Sequence, residues 1–236
     1  IGPVMPGPYT TGRVKIIASR ITQENRFLES FQIGRLFIML RFELHPITPQ
    51  VRLIKKVVEV FEEGGIVIYP TDSGYSMGCH ARHKQAIQRL YQLKRNLKKY
   101  VMALMFHEFA SITEFAIVEN AAYRYMKNRL PGPYTFILPA NKQGKKILEV
   151  KRPEIGVRMP QHVFFDSLHQ ISTEPILNTA ARVKDEDFYI DPDDIAEAFE
   201  HFVDLLVDMG PIQRNPTTVI SLVSGIPEVL REGAGR

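Results

Sequence analysis

Residues 66–75 read Ile66-Val-Ile-Tyr-Pro-Thr-Asp-Ser-Gly-Tyr75, an apolar run followed at once by a polar loop. The run over 66–69 predicts a buried strand, because short apolar runs bounded by turn residues are typical of central strands. Pro70 is expected to end the strand, and Thr71 and Ser73 then supply small hydroxyls. Ligands of open α/β sheets bind beyond strand ends, so this loop is a candidate binding site. A tight turn whose hydroxyls satisfy only backbone groups is the alternative.

Strand and helix patterns alternate irregularly on both sides of this segment. Apolar residues at helical spacing predict helices over 49–63, 84–94, 121–130, 162–169 and 191–202. Short apolar or alternating runs predict strands over 40–44, 75–79, 101–106, 134–138, 155–159, 175–179, 203–207, 217–222 and 228–231. This order favours an α/β fold with one large, twisted, open, mixed β-sheet flanked by helices.

The first 38 residues differ from the rest of the chain. Pro3, Pro6 and Pro8 lie among glycines there, and both residue types interrupt regular structure. We therefore expect residues 1–38 to be an N-terminal extension or a weakly ordered arm, and residues 39–236 to form one domain. Met39 stands where the regular pattern begins, and is a candidate translation start.

Composition excludes several classes of protein. A chain of 236 residues with 44% hydrophobic and 24% charged residues is typical of a globular domain rather than a disordered or fibrous chain. Cys79 is the only cysteine, so no internal disulfide can form, as is usual in a reducing compartment. We expect a cytoplasmic location. No apolar run approaches the roughly 20 residues that span a bilayer, and no membrane partner is expected.

Charge is segregated along the sequence, although the formal net charge is only +4. Basic residues cluster at Lys94, Arg95, Lys98 and Lys99, and again at Lys142, Lys145, Lys146, Lys151 and Arg152. Acidic residues gather instead between 185 and 194. Segregation favours a face that binds an anion such as phosphate or RNA, and an ordinary solvated surface is the alternative.

Several short segments place cations or hydroxyls at the ends of predicted elements. Lys94 ends a helix, Arg158 ends a strand, and Arg231 ends the last strand. Thr217 and Thr218 begin a strand after Pro216. Helix-terminal cations often only complement the helix dipole, and a strand-end arginine often only forms a surface ion pair. Together the segments supply candidate phosphate ligands and no evident pair of nucleophile and base.

Other common chemistries are not supported. The sequence contains no phosphate-binding loop of the Gly-x-x-x-x-Gly-Lys-Ser/Thr type and no convincing Gly-x-Gly-x-x-Gly. His80 and His83 with Cys79 would need a further ligand to hold a metal, so we expect packing or surface roles and no metal site. Cys79 has no activating neighbour in the sequence, and a buried small residue is expected there.

Five collinear motifs resemble the YrdC/YciO family, with the closest likeness to its YciO branch. They are Tyr69-Pro-Thr-Asp-Ser-Gly-Tyr75, Pro131-Gly-Pro-Tyr-Thr-Phe-Ile-Leu138, Gly156-Val-Arg-Met-Pro160, Pro216-Thr-Thr-Val219 and Arg231-Glu-Gly233. The likeness covers roughly 42–235, and the ordered set is far more specific than any single motif. It implies a YrdC-like sheet with helices around it and a concave basic cleft.

The resemblance also implies a reaction and its ligands. Synthase members of the family make L-threonylcarbamoyl-AMP from L-threonine, bicarbonate and ATP with Mg2+, for tRNA threonylcarbamoyladenosine formation, and members have been linked to double-stranded RNA. On this model Lys94 and Arg158 are catalytic contacts to phosphate or carboxylate. The other implied contacts to ATP or the adenylate are Thr71, Ser73, Tyr75, Thr135, Thr179, Thr218 and Arg231.

Two departures from the synthase pattern leave two hypotheses open. Lys94-Arg95-Asn96 stands where synthases have Lys-x-Arg, and Thr179-Ala180-Ala181 where they have Ser-x-Asn. Loss of a charged donor to phosphate can cost about 2 kcal/mol of transition-state binding. The protein is therefore an enzyme of threonylcarbamoyl-AMP chemistry (a weak synthase, or one acting on the adenylate in reverse or by hydrolysis), or a non-catalytic module that binds nucleotide or double-stranded RNA.

Overall fold

The structure is a computed structural model that describes residues 13–18, 38–95, 97, 101–147, 153–182 and 189–236. Most of the expected N-terminal arm lies outside these residues. Also outside them are the position that departs from the synthase pattern, four residues of the basic clusters and part of the acidic stretch. These are Asn96, then Lys98, Lys99, Lys151 and Arg152, and residues 185–187.

Within these described residues, eleven strands form one sheet in the order β1-β2-β9-β3-β4-β8-β5-β7-β6-β10-β11. The strands are β1 Arg13–Ala18, β2 Ile38–Glu43, β3 Val67–Thr71, β4 Gly74–His80, β5 Ala103–Met105, β6 Tyr134–Pro139, β7 Glu154–Arg158, β8 Ile176–Ala180, β9 Leu205–Asp208, β10 Thr218–Ser221 and β11 Glu228–Arg231. The helices are α1 Val51–Glu62, α2 Lys84–Lys94, α3 Phe109–Ile112, α4 Asn120–Lys127, α5 Lys142–Ile147, α6 Val163–His169 and α7 Pro192–Phe199. The predicted open mixed sheet flanked by helices is confirmed.

The strand predicted from residues 66–69 lies near the middle of the sheet, and every residue of β3 is buried. It pairs antiparallel with β4 and parallel with β9. The prediction that Pro70 ends the strand is wrong, since Pro70 pairs with Tyr75 inside the ladder. The physical reason is that β9 pairs only with Val67 and Ile68, so no partner on that side needs the N–H that Pro70 lacks.

Helices cover both faces of the sheet and bury alternate residues of β3. Val67 and Tyr69 belong to an apolar cluster that includes residues of α1 and α6. Ile66 and Ile68 belong to a second cluster that includes residues of α2, α4 and α7. Alternation along a strand sends successive side chains to opposite faces, so one strand contributes to both clusters. Among the described residues, no helix combines the length and apolarity needed to cross a bilayer.

Three elements were not predicted from the sequence. The strand β1 lies within the first 38 residues and pairs antiparallel with β2, from Arg13 opposite Glu43 to Ala18 opposite Ile38. The helices α3 and α5 have four and six residues, too few to show a clear helical period. The helix α7 ends at Phe199 and not at residue 202 as predicted. Its predicted start is confirmed, because the side chain of Asp191 accepts a hydrogen bond from the backbone N–H of Asp193 at the N-terminus of the helix.

Close packing of β7 against β5 requires a glycine. A Cβ atom on Gly156 would lie 2.6 Å from the carbonyl oxygen of Met102 and 3.2 Å from Cα of Ala103. Both contacts are with backbone, which cannot rotate away. The absence of a side chain at Gly156 therefore sets the position of β7, and with it the position of Arg158 two residues later.

Replacing Gly156 by Ala should lower the free energy of unfolding by about 1–3 kcal/mol, because the added methyl group overpacks a strand-to-strand contact. Urea denaturation of Gly156→Ala and the parent protein measures the difference. A change below about 0.5 kcal/mol, the range of ordinary surface substitutions, would contradict this account of the β5–β7 contact.

Candidate ligand-binding cleft

An open cleft of about 880 Å³, counting the part exposed to solvent, lies where several strands end or begin. Its walls come from β4 and β8, from single residues of β5 and β6, from the ends of β7 and β11, and from the segment before β10. Six residues predicted to contact a ligand line it together, namely Ser73, Tyr75, Thr135, Arg158, Thr179 and Arg231. They come from positions as far apart as 73 and 231, so the fold brings distant segments to one cleft.

The turn between β3 and β4 presents Ser73 to this cleft and keeps Thr71 behind it. The hydroxyl of Thr71 donates to the carbonyl of Gly74 at 2.7 Å and accepts from the backbone N–H of Ser73 at 3.2 Å. Gly74 has φ of 109°, a conformation that strongly favours glycine. Thr71 is buried and is not among the lining residues, so it shapes the turn while Ser73 lines the cleft.

The guanidinium of Arg158 is buried in the cleft wall, with 4% of the residue exposed. One terminal nitrogen forms an ion pair with Asp72, which also accepts from the backbone N–H of Gln161 at 3.2 Å. Burial lowers the pKa of Arg158, and the nearby Asp72 opposes that shift. Its Nε–H has no hydrogen-bond partner among the described residues. An unsatisfied buried donor is costly in free energy.

Lys94 was predicted to contact phosphate, but the structure places its ammonium behind the wall. The residue is fully buried, and its Nζ donates to the carbonyls of Ala180 at 2.5 Å and Arg182 at 2.6 Å. Ala180 and Arg182 line the cleft, whereas Lys94 does not. In this geometry Lys94 holds the segment after β8 in place. A sequence pattern cannot indicate this role, because the acceptors are backbone carbonyls from a distant part of the chain.

The predicted hydroxyl of Thr218 also lies outside the lining, and its neighbour Thr217 takes the place. Thr218 donates to the carbonyl of Gly235 at 2.7 Å, so it ties down the C-terminal segment. The hydroxyl of Thr217 lies 2.9 Å from that of Thr135. The guanidinium of Arg231 donates to the carbonyl of Thr217 at 2.8 Å and to its hydroxyl at 3.1 Å. Neighbouring residues of an extended segment face opposite ways, which explains the shift by one position.

Two arginines that line the cleft, Arg182 and Arg214, were not predicted from the sequence as ligand contacts. With Arg158 and Arg231 they make four arginines among the described lining residues, and this described set includes no Asp or Glu. Burial lowers the pKa of Arg231, and the positive charges of the other three lower it further. A signal existed in the sequence, because Arg182 directly follows Thr179-Ala180-Ala181 and Arg214 lies just before Pro216.

The departures from the synthase pattern can also be located. Ala181 lines the cleft, so the position aligned with an asparagine amide carries only a methyl group. Asn178 brings an amide to the same wall, and its Oδ1 accepts a hydrogen bond from the hydroxyl of Tyr69 at 2.8 Å. Asn96 lies outside the described residues.

No group of three or more His, Cys, Asp or Glu side chains that could hold a metal occurs among the described residues. His80 stacks on Phe61, with 5.2 Å between ring centroids, and burial lowers its pKa to about 4. Cys79 is fully buried, and burial raises the pKa of its thiol to about 12. The expectation that Cys79 is a buried packing residue is confirmed.

Residues 59–233 match the family model of the Sua5/YciO/YrdC proteins, whose description is telomere recombination. The chain belongs to this family. It is 38% identical over 196 residues to the uncharacterized protein YciO of Escherichia coli K12, which covers 82% of this chain and 95% of the relative. The crystal structure of E. coli YciO superposes with a TM-score of 0.77 at 36% identity, covering 84% of this chain and 97% of YciO. The family predicted from the five motifs is confirmed.

A more distant similarity concerns the fold alone. The crystal structure of P. abyssi Sua5 in complex with L-threonine superposes with a TM-score of 0.74 at 23% identity. The match covers 82% of this chain and 57% of Sua5, so Sua5 has a large part without a counterpart here.

The ion pair in the cleft wall makes a prediction about stability. Changing Asp72 to Asn should lower the free energy of unfolding by about 3 kcal/mol, because a buried guanidinium loses its partner. Arg158→Gln and the double variant complete a thermodynamic cycle measured by urea denaturation. The double variant should lose less free energy of unfolding than the sum of the losses in the two single variants. Losses that add within about 0.5 kcal/mol would show that the two groups are not coupled.

Proposed function

We propose that the cleft binds a nucleoside triphosphate, or the adenylate formed from it, and that the protein acts in L-threonylcarbamoyl-AMP chemistry linked to tRNA threonylcarbamoyladenosine. The observation that carries the proposal is the lining itself. Among the residues that the structure describes, it combines four arginines with the hydroxyl residues Ser73, Thr135, Thr179 and Thr217, and it includes no carboxylate. Guanidiniums and hydroxyls are donors to phosphate and carboxylate oxygens. A cytoplasmic location is part of the same proposal.

The reaction requires a site that holds several negative charges close together. The amine of L-threonine adds to the carbon of bicarbonate with loss of water, giving an N-carboxylate. An oxygen of this carboxylate then attacks the α-phosphorus of ATP, and the bond to the bridging oxygen breaks as pyrophosphate leaves. No side chain needs to act as a nucleophile, so catalysis depends on positioning and on stabilising the charge of the transition state.

The chain's own residues can supply this positioning. Arg158 lines the cleft, and a guanidinium is a donor for a carboxylate or an α-phosphate oxygen. Ser73 and Thr179 flank the same space. Mg2+ would enter as a counter-ion of the triphosphate, as part of the substrate. Within the described part of the chain the lining offers no carboxylate ligand for a resident ion, and no step is assigned to a metal held by the protein.

L-Threonine as a ligand is supported by the relative of similar fold. P. abyssi Sua5 has been crystallised in complex with L-threonine. The shared fold makes the same amino acid the first candidate for the carboxylate-bearing substrate here.

A second candidate function is binding without turnover. Two observations favour it, namely the engagement of the Lys94 ammonium with two backbone carbonyls and the loss of an amide at Ala181. The first engages two of the three N–H donors of the ammonium, and the second replaces an amide of the synthase pattern by a methyl group. Nucleotide or double-stranded RNA would then be the bound partner, and binding of RNA would weaken steeply as salt is raised.

An assay with ATP, Mg2+, L-threonine and bicarbonate tests the first candidate by measuring pyrophosphate and threonylcarbamoyl-AMP. Product is expected, and Arg158→Gln should reduce the rate about tenfold or more, because a charged donor is lost. Arg52→Gln is the matched control, since Arg52 is exposed on α1. If no product forms, and added threonylcarbamoyl-AMP is also not consumed, the enzyme proposal fails and the binding function is favoured.

The two departures can be reversed in one variant. If they limit synthesis, Asn96→Arg combined with Ala181→Asn should raise the rate by about tenfold or more, because each restores a donor to the phosphates. The measurement is the initial rate of pyrophosphate release at saturating ATP. A folded double variant with an unchanged rate would show that these positions do not limit the reaction.

A further inference from the structure

The helix α6 carries a histidine at each end, with His162 as its N-cap and His169 as its last residue. We propose that α6 is a pH-sensitive support of the cleft wall. The helix is held in place while both histidines are neutral, and it loosens, together with the wall contact next to it, when mild acid protonates them. This inference goes beyond the proposed function, because it does not depend on which ligand the cleft binds.

The N-terminus of α6 requires the neutral form of His162. Its Nδ1 accepts a hydrogen bond from the backbone N–H of Phe164 at 3.2 Å. The first N–H groups of a helix have no partner within the helix, so a side-chain acceptor at the N-cap stabilises it. An imidazolium carries hydrogen on both ring nitrogens and cannot accept. Protonation of His162 therefore removes the cap.

Three charged groups surround His162. Burial lowers the pKa of His162, and the positive charge of Arg158 at the end of β7 lowers it further. The carboxylates of Asp72 in the β3–β4 turn and Asp166 within α6 oppose the shift, and the pKa remains below its ordinary value. Neutral His162, with its proton on Nε2, is therefore the form that caps the helix at neutral pH.

The C-terminal end of α6 also requires a neutral ring. His169 is buried, stacks on His107 with 4.9 Å between ring centroids, and meets the ring of Phe165 edge to face at 4.4 Å. Neither of its ring nitrogens has a hydrogen-bond partner among the described residues. The backbone N–H of Ser172 lies nearby, but it donates to the carbonyl of Leu168 at 3.0 Å. Burial lowers the pKa of His169 to about 4, and His107 adds to the shift.

The elements that pack against α6 do not offer His169 a counter-charge. The helix packs against α1 and β3, and Phe164 stacks on Tyr69 with 5.6 Å between ring centroids. The residues that α1 buries are apolar, and its charged residues, which are Arg52, Lys55, Lys56, Glu59 and Glu62, are all exposed. An imidazolium at His169 would thus be a buried charge against apolar groups, which is costly.

A hydrogen bond connects the start of α6 to the cleft. The backbone N–H of Gln161, the residue before the cap, donates to the carboxylate of Asp72 at 3.2 Å. The same carboxylate forms the ion pair with Arg158 in the cleft wall. If the start of α6 loosens, Asp72 loses one of its donors. The protonation of His162 is thereby coupled to the position of Arg158.

The direction of the pH dependence follows from the lowered pKa values. An ordinary histidine has a pKa of 6.5, and that of His169 in the folded protein is about 4. Between these values the unfolded chain binds a proton that the folded protein does not. The stabilisation is therefore complete above about pH 6.5 and declines as the pH falls toward 4. His162 acts in the same direction, because its pKa is also lowered.

Thermal unfolding of the full chain at about pH 7.5 and about pH 5 tests the device. The variant His162→Asn/His169→Phe keeps a cap acceptor and an aromatic ring but removes both titrating groups. On acidification the Tm of the parent should fall by about 5 °C or more beyond the fall in the variant. His83→Asn is the matched control, since His83 is the N-cap of α2 and makes no side-chain cap hydrogen bond. It should retain the pH dependence of the parent.

Hydrogen exchange measured by NMR at the same two pH values tests the link to the cleft. The protection factors of the Gln161 and Phe164 N–H groups should fall about tenfold or more on acidification in the parent, and much less in the double variant. Equal shifts of Tm in the parent and the double variant would overturn the proposal. So would unchanged protection at Gln161 and Phe164, because the acid effect would then lie elsewhere, for example at His80, which all the variants retain.

If the double variant does not fold, His162→Asn alone and the NMR titration of the histidine rings in the parent decide. A ring of His162 that titrates at or above pH 6.5 while the Phe164 N–H stays protected would refute the device. None of these measurements involves catalysis. A chain that makes no threonylcarbamoyl-AMP but shows the pH response would keep this inference and lose the proposed reaction, and synthesis without the pH response would do the reverse.

Discussion

The buried ion pair between Asp72 and Arg158 joins two distant parts of the sheet. Asp72 follows β3 and Arg158 ends β7, and three strands, β4, β8 and β5, lie between them in the sheet. This contact fixes the position of the β3–β4 turn relative to the end of β7, and both segments line the cleft. A buried guanidinium requires its carboxylate, so this constraint is strong wherever both groups are excluded from water. The cleft, its lining and its electrostatics all depend on it.

Polar residues around the cleft divide into those that line it and those that support it. Thr71, Lys94 and Thr218 direct their polar groups to backbone carbonyls of Gly74, Ala180, Arg182 and Gly235. Each bond fixes a segment that carries a lining residue, respectively Ser73, Arg182 and Thr217. Positioning of this kind lets short hydroxyls and flexible arginines meet a ligand at low entropic cost.

Predictions from the sequence succeeded where the signal is local or carried by motifs. The buried strand at 66–69, the start of α7 next to Asp191 and the mixed α/β architecture are all confirmed. Family membership followed from five ordered motifs and is confirmed. The strand β1 could not be found this way, because it exists through pairing with β2 and not through a pattern of its own. The same holds for Pro70, whose place within β3 depends on where pairing with β9 stops.

Local chemistry alone was enough to indicate most of the elements, the family and the kinds of side chain that surround the cleft. Only the tertiary structure decided which of those side chains face the cleft and which lie behind it. Lys94 and Arg182 are 88 positions apart in the chain, yet the ammonium of Lys94 donates a hydrogen bond to the backbone carbonyl of Arg182. The direction of an ammonium or hydroxyl depends on the nearest carbonyl acceptors, and those are set by strand pairing between distant segments. No periodicity or motif within one segment contains that information.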